Sequence, residues 1–200
     1  MLAAALAGGG CDLFRPADPE PPGGSVIIPD YSSPETTLES LALALADKAR
    51  TNGTSVYVGA FAESTSAATP AYHHFFSPED AASWIVLGRE VPVWNLNLEQ
   101  NFYIKFVTLR GEDYRLIWIP DDLNPDDIRE TQATIHRYYT IDTEDLDGNL
   151  TGALARGFAD LTFLRGTDGN WRITRWEDRV DPSADPGAEE VTLGRRRLNT

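Results

Sequence analysis

The feature that most restricts how this chain can fold is its second half, where long stretches of alternating side chains are joined by tight turns. From Thr131 to Thr143, Ala133, Ile135, Tyr139 and Ile141 fall on one face and Thr134, His136 and Tyr138 on the other. Asp147-Gly148-Asn149 reads as a turn. From Ala153 to Arg165, Leu161 and Phe163 share one face, and Arg156, Phe158 and Asp160 share the opposite one. Gly166-Thr167-Asp168-Gly169 closes a hairpin, and Trp171 to Trp176 forms a last strand. A repeat of two is a strand period, so these segments predict consecutive antiparallel strands with one face that needs an apolar cover. Tyr114 to Ile119, β-rich and stopped by Pro120, adds a further strand ahead of an acidic, proline-punctuated loop from Asp121 to Asp127.

The first half supplies the cover. Ser33 can cap a helix that has Pro34 at its first position and Glu35 in its first turn. Leu38, Leu41, Leu45 and Ala49 then recur at three- and four-residue spacing, and Asn52-Gly53 ends the run. A short second helix is expected from Thr54, with Tyr57, Ala60 and Phe61 inward, and a brief strand from Ala71 to Phe76. Ser77-Pro78-Glu79-Asp80 repeats the capped start; Trp84 and Leu87 are expected on that helix's inner side, with Gly88 as its stop. Asn97-Leu98-Glu99-Gln100 has the form of a capping box before Leu98, Phe102, Phe106 and Leu109 at helical spacing. Helices first and strands afterwards predict an α+β fold, with helices packed on one face of a strongly curved antiparallel sheet.

Several of these segments resemble the NTF2-like superfamily, also called SnoaL-like or ketosteroid-isomerase-like. They are Ser33-Pro34-Glu35 opening a Leu-rich helix, Gly157-Phe158-Ala159-Asp160-Leu161-Thr162-Phe163-Leu164-Arg165, Asp168-Gly169-Asn170-Trp171-Arg172-Ile173, and Trp176-Glu177-Asp178. The resemblance spans roughly residues 33–180. It implies a cone: N-terminal helices and a curled antiparallel sheet around a pocket. It also implies no single activity, because the superfamily holds enzymes, binding modules and assembly domains. Thr192-Leu193-Gly194-Arg195 is similar to the terminal segment of some lipoproteins of this type, with Leu193 in place of a tryptophan.

The organisation expected around that domain has four parts. Residues 1–11 are small and apolar up to Cys11 and resemble the end of a bacterial lipoprotein signal, in which the cysteine is lipidated. Residues 12–30, with Pro16, Pro19, Pro21, Pro22, Gly23, Gly24 and Pro29, read as an extended tether. Residues 31–180 form the domain, and residues 181–200 an acidic linker and tail. The implied location is the bacterial cell envelope, with the chain lipid-anchored to a membrane. A net charge of −14 repels phosphate backbones and argues against nucleic acid as a partner. A single cysteine excludes an intramolecular disulfide and a Cys-based zinc site.

Strand face and aromatic character nominate His136, Tyr138, Phe158, Asp160 and Trp176 as pocket residues. A one-residue change of register would exchange some of them for Tyr139, Ile135 and Trp171. Adjacent His73 and His74 point to opposite faces of a strand and make a poor metal pair. The acidic run from Asp142 to Gly148 fails the EF-hand spacing, so no metal and no cofactor is expected. Arg195-Arg196-Arg197 reads as a solvated run, or as balance for the acidic stretch before it. The function expected is non-catalytic binding of a small apolar ligand or a protein partner. One alternative is an isomerase, hydratase or cyclase with Asp160 or His136 as base. Another is an oligomerising module that forms a homodimer through its sheet.

Overall fold

The computed structural model describes residues 26–46, 52–63, 70–108, 113–145, 149–183 and 191–200. Cys11, most of the tether and the middle of the acidic linker lie outside the described residues. Three helices form the cover: α1 (Pro34–Ala46), α2 (Gly53–Gly59) and α4 (Leu96–Thr108). α1 buries Leu38, Leu41, Ala44 and Leu45, the stripe its spacing predicts, and Thr36 N donates to the Ser33 hydroxyl at its start. α3 (Pro78–Val86) starts as expected, with Ser77 Oγ accepting from Asp80 N at 3.1 Å, and Gly88 stops it at a φ of 74°. Its inner face differs from the expectation: Leu87 is exposed and Trp84 only half-buried, because Asp80 is the residue this helix buries.

The strands are β1 (His73–Phe75), β2 (Trp94–Asn95), β3 (Asp113–Pro120), β4 (Asp127–Ile128), β5 (Gln132–Glu144), β6 (Leu150–Arg165) and β7 (Trp171–Arg179). They form one sheet in the order β2-β1-β7-β6-β5-β3, with β4 added alongside β5. The pairings are antiparallel except β1 on β7, which is parallel. The long strands β5 and β6 run antiparallel from Gln132↔Leu164 to Glu144↔Leu150, with register shifts after Ile141 and Thr143. Bulges of this kind bend and twist a sheet, and the sheet here is open and curled. Its helix-covered face carries Ile135, Tyr139, Ile141, Ala159, Leu161 and Phe163, all fully buried with α1, α2 and α4 above them.

The chain's end departs from the expected tail. Val191 makes a parallel bridge to Ala155, and residues 193–198 form helix α5 (Leu193–Leu198), with Leu193, Gly194, Arg197 and Leu198 buried. The domain therefore takes back residues 191–200 after the linker. Arg197 is neither solvated nor balancing the linker: it is one of the largest fully buried side chains in the protein.

Candidate functional site

The helix-covered face of the sheet holds a buried polar cluster. Glu99, one turn before Phe102 on the inner stripe of α4, is fully buried. Its carboxylate accepts from Tyr57 OH at 2.6 Å, Tyr72 OH at 3.2 Å and Trp94 Nε1 at 2.6 Å. Arg197, delivered by α5, closes a bidentate pair on it through Nε at 2.9 Å and Nη2 at 2.7 Å, with both side chains at 0% exposure. The guanidinium lies 4.5 Å from the ring centroid of Trp176 and 5.5 Å from that of Phe102, which is cation–π geometry.

Asp178 stands on the other side of the same guanidinium, 3.8 Å from Arg197 Nη1. It accepts from Trp176 Nε1 at 2.8 Å, Tyr139 OH at 3.2 Å and Gly194 N at 2.6 Å. The approach of the α5 backbone to this carboxylate needs glycine: a Cβ on Gly194 would lie 2.7 Å from Asp178 Oδ2 and 3.2 Å from His74 Nε2. His74 is buried beside them, with Nε2 3.6 Å from Asp178 Oδ2, and neither ring nitrogen hydrogen-bonds to another described residue. α5 is further fastened through Thr192, which caps it by accepting from Arg195 N and donates to the buried Asp80, and through Arg195 on Ser83.

Burial sets the proton affinities here. It pushes the Asp178 carboxyl up to about 6, against the opposing pull of Arg197 and the donors Trp176 and Gly194. It pushes His74 well below the usual imidazole range, and Arg197 adds to that, so His74 is held neutral. Tyr57, Tyr72 and Tyr139 are raised well above the usual phenol range, first by burial and then by the neighbouring carboxylates, and stay protonated as donors. The cluster thus places the carboxyl groups of Glu99 and Asp178 around one guanidinium.

Of the five residues nominated first from sequence, Trp176 alone is in this cluster, joined by Tyr139 from the alternative register. His136, Tyr138, Phe158 and Asp160 lie on the opposite, outer face of the sheet. There His136 Nδ1 is 2.7 Å from Asp160 Oδ1, and Arg179 Nε donates to Asp160 Oδ2 at 2.8 Å. The Arg179 guanidinium sits 5.1 Å from the Phe158 ring, which meets Tyr138 edge-on at 5.2 Å. The alternative register is the one that shares the inner face: Tyr139, Ile135 and Trp171 are buried there. On β5 and β6 the reason is that the apolar set, Ile135, Tyr139, Leu161 and Phe163, is the one the helices cover; Trp176 lies inside because of a bulge. Ile173 pairs with Phe163 and Arg175 with Thr162, which leaves Thr174 out of the register, so β7 changes parity between Trp171 and Trp176 and both tryptophans are buried. His73 and His74 do face opposite ways, and no group of three or more metal-ligating side chains occurs among the described residues.

Glu99, Arg197, Asp178 and His74 were not nominated from sequence as a site. The available signal was an acid on the apolar stripe of α4, between Trp94 and Phe102, and an arginine between Leu193 and Leu198. Two surface clefts of about 640 and 490 Å³ lie elsewhere, one beside Tyr31, Gly59, Asp168 and Arg172, the other between α1 and β3. None of the four residues lines either cleft.

No family model matches the chain, and no curated protein matches it in sequence. Solved structures do match in three dimensions. A protein of unknown function from Mycobacterium tuberculosis is similar over 82% of this chain and 81% of its own, at 14% identity and a TM-score of 0.51. ActVI-ORFA from Streptomyces coelicolor is similar over 74% of this chain and 93% of its own, at 12% identity and a TM-score of 0.50. The chain has the NTF2-like fold. At these identities the likeness is one of architecture: the cone of helices and curled sheet is shared, and what fills it must be read from this chain's own residues.

Proposed function

We propose that this chain is a non-catalytic binding module of the cell envelope, held to a membrane by lipid on Cys11, with its cone closed by its own C-terminal helix. The observation that carries the non-catalytic reading is Arg197. Its guanidinium lies between Glu99, Asp178 and Trp176, so the two carboxyl groups that converge inside the cone are engaged by the chain itself. Recognition then falls to the outer sheet face, where His136, Asp160, Arg179, Tyr138 and Phe158 form a half-buried, mixed-charge surface suited to a polar protein partner. The anchor is supported by the small apolar residues that lead to Cys11 and the proline-rich residues that follow.

The test is expression of the full gene, followed by membrane fractionation and intact-mass analysis. A membrane-bound product carrying acyl mass on Cys11 is expected; a soluble product with an unmodified Cys11 overturns the anchor. Native mass spectrometry of the purified chain mixed with cell extract tests the closed cone, and a retained apolar small molecule would contradict it.

One observation favours an enzyme instead: a buried carboxylate pushed up to about 6 beside a neutral imidazole is equipped for proton transfer. That reading requires α5 to leave. Hydrogen exchange at the Leu193 and Gly194 amides separates the two, since exchange as slow as global unfolding excludes an opening that admits substrate.

A further inference from the structure

The closed cone has a property that the binding reading does not use. Its interior is lined for a cation. Two buried carboxylates, Glu99 and Asp178, face one guanidinium. The aromatic faces of Trp176 and Phe102 flank the same point, as cation recognition requires. The Glu99 carboxylate also accepts from three neutral donors, Tyr57, Tyr72 and Trp94, which hold it in place beside the fork of Arg197. The lining also exceeds what its occupant satisfies: His74, fully buried and beside Asp178, makes no hydrogen bond to the described residues.

We infer that the interior of the cone is a guanidinium-binding site, and that Arg197 is its intramolecular occupant. The ligand class is a small alkylguanidinium: planar, permanently charged, and able to present two parallel N–H groups to Glu99 while its faces lie against aromatic rings. A compact ammonium lacks the fork, and a urea has the shape without the charge. The site is defined by the groups around Arg197 inside the cone. It stands or falls separately from membrane attachment and from any partner on the outer sheet face.

The experiment removes the occupant and supplies its head group from solution. In the full-length Arg197→Ala variant, N-ethylguanidinium replaces the atoms deleted. At about ten times its Kd it is expected to raise the variant's Tm by about 3–6 °C, while leaving the wild-type chain, whose site is filled, unchanged. N-ethylurea and ethylammonium at the same concentration are expected to produce no such rise. In the double variant Glu99→Gln/Arg197→Ala the guanidinium effect should disappear, which ties it to this carboxylate. Should Arg197→Ala not fold unaided, the same comparison is made on refolding yield, read from tryptophan fluorescence: recovery with N-ethylguanidinium and not with N-ethylurea supports the site. Three results overturn the inference: no difference between guanidinium and urea, an equal effect on wild type and variant, or persistence of the effect in the double variant.

Discussion

Neutralising Glu99 without changing its shape is the sharpest perturbation of the closed cone. Glu99→Gln keeps the length of the side chain but removes the charge that holds Arg197, and it puts an amide NH₂ where donors already converge. Five donors point at this carboxylate: Tyr57 OH, Tyr72 OH, Trp94 Nε1 and two nitrogens of Arg197. At least one of them must lose its acceptor, at about 1–3 kcal/mol for a buried group. The larger cost is Arg197, left with Asp178 at 3.8 Å as its only nearby carboxylate among the described residues. Breaking a buried ion pair from one side typically costs about 3–5 kcal/mol. The expected loss is therefore about 3–5 kcal/mol, the two costs overlapping because they share a cause. In a chain of 200 residues this lowers Tm by about 6–20 °C. The assay is urea unfolding followed by tryptophan fluorescence, with the slope checked so that a midpoint shift can be read as stability. Adding Arg197→Met to Glu99→Gln should return part of the loss, because an apolar side chain of similar volume removes the unpaired guanidinium and leaves Asp178 as the one buried charge on that side of the cluster. A Glu99→Gln variant within about 1 kcal/mol of wild type, or a double variant no better than the single one, refutes the claim that this pair fastens α5 in the cone.

The other predictions concern the same cluster and its contrast with the outer face. Gly194→Ala gains helix propensity of up to about 1 kcal/mol but drives a Cβ to 2.7 Å from Asp178 Oδ2; overpacking at about 1–3 kcal/mol wins, so the variant should unfold at lower urea and be clipped sooner at its C-terminus in limited proteolysis. Asp178 and His74 pull the pH dependence in opposite directions. The folded Asp178, at about 6 against 3.8 unfolded, takes up its proton first on acidification, so its share of stability, on the order of 3 kcal/mol, is present at low pH and is lost as pH rises through about 6. His74 is neutral when folded but charges below about 6.5 when unfolded, so its share is lost as pH falls below that value. Between pH 7.5 and 5, therefore, Asp178→Asn should lose stability relative to wild type and His74→Gln should gain it, measured as urea midpoints at the two pH values. His136→Ala, by contrast, breaks a pair whose side chains are 22% and 26% exposed, and should cost no more than about 1 kcal/mol at pH 7; a loss as large as that of Glu99→Gln would show that the outer-face pair is also a structural centre.

The legible part of this fold is the part set by local rules. α1 and the start of α3 follow from capping residues and spacing, and the faces of β5 and β6 follow from alternation, because a period of two admits only one inward set once one face is buried. Alternation fails at Thr174, where one extra residue in β7 reverses the parity and carries Trp176 inward with Trp171. Nothing near Thr174 in the sequence announces the bulge, since threonine is at home in a regular strand. The nominated set therefore mixed four outer-face residues with one inner one. The buried cluster was harder to read for a different reason. Glu99 carries the ordinary signature of a first-turn helix acid, and Arg197 that of a charged run after an acidic stretch. Each is a surface residue by type, and each becomes a core residue only through the other, 98 positions away. A charge is admitted to an apolar interior when its partner arrives with it. Burial of this pair is thus a property of the tertiary contact, and no window along the chain contains it.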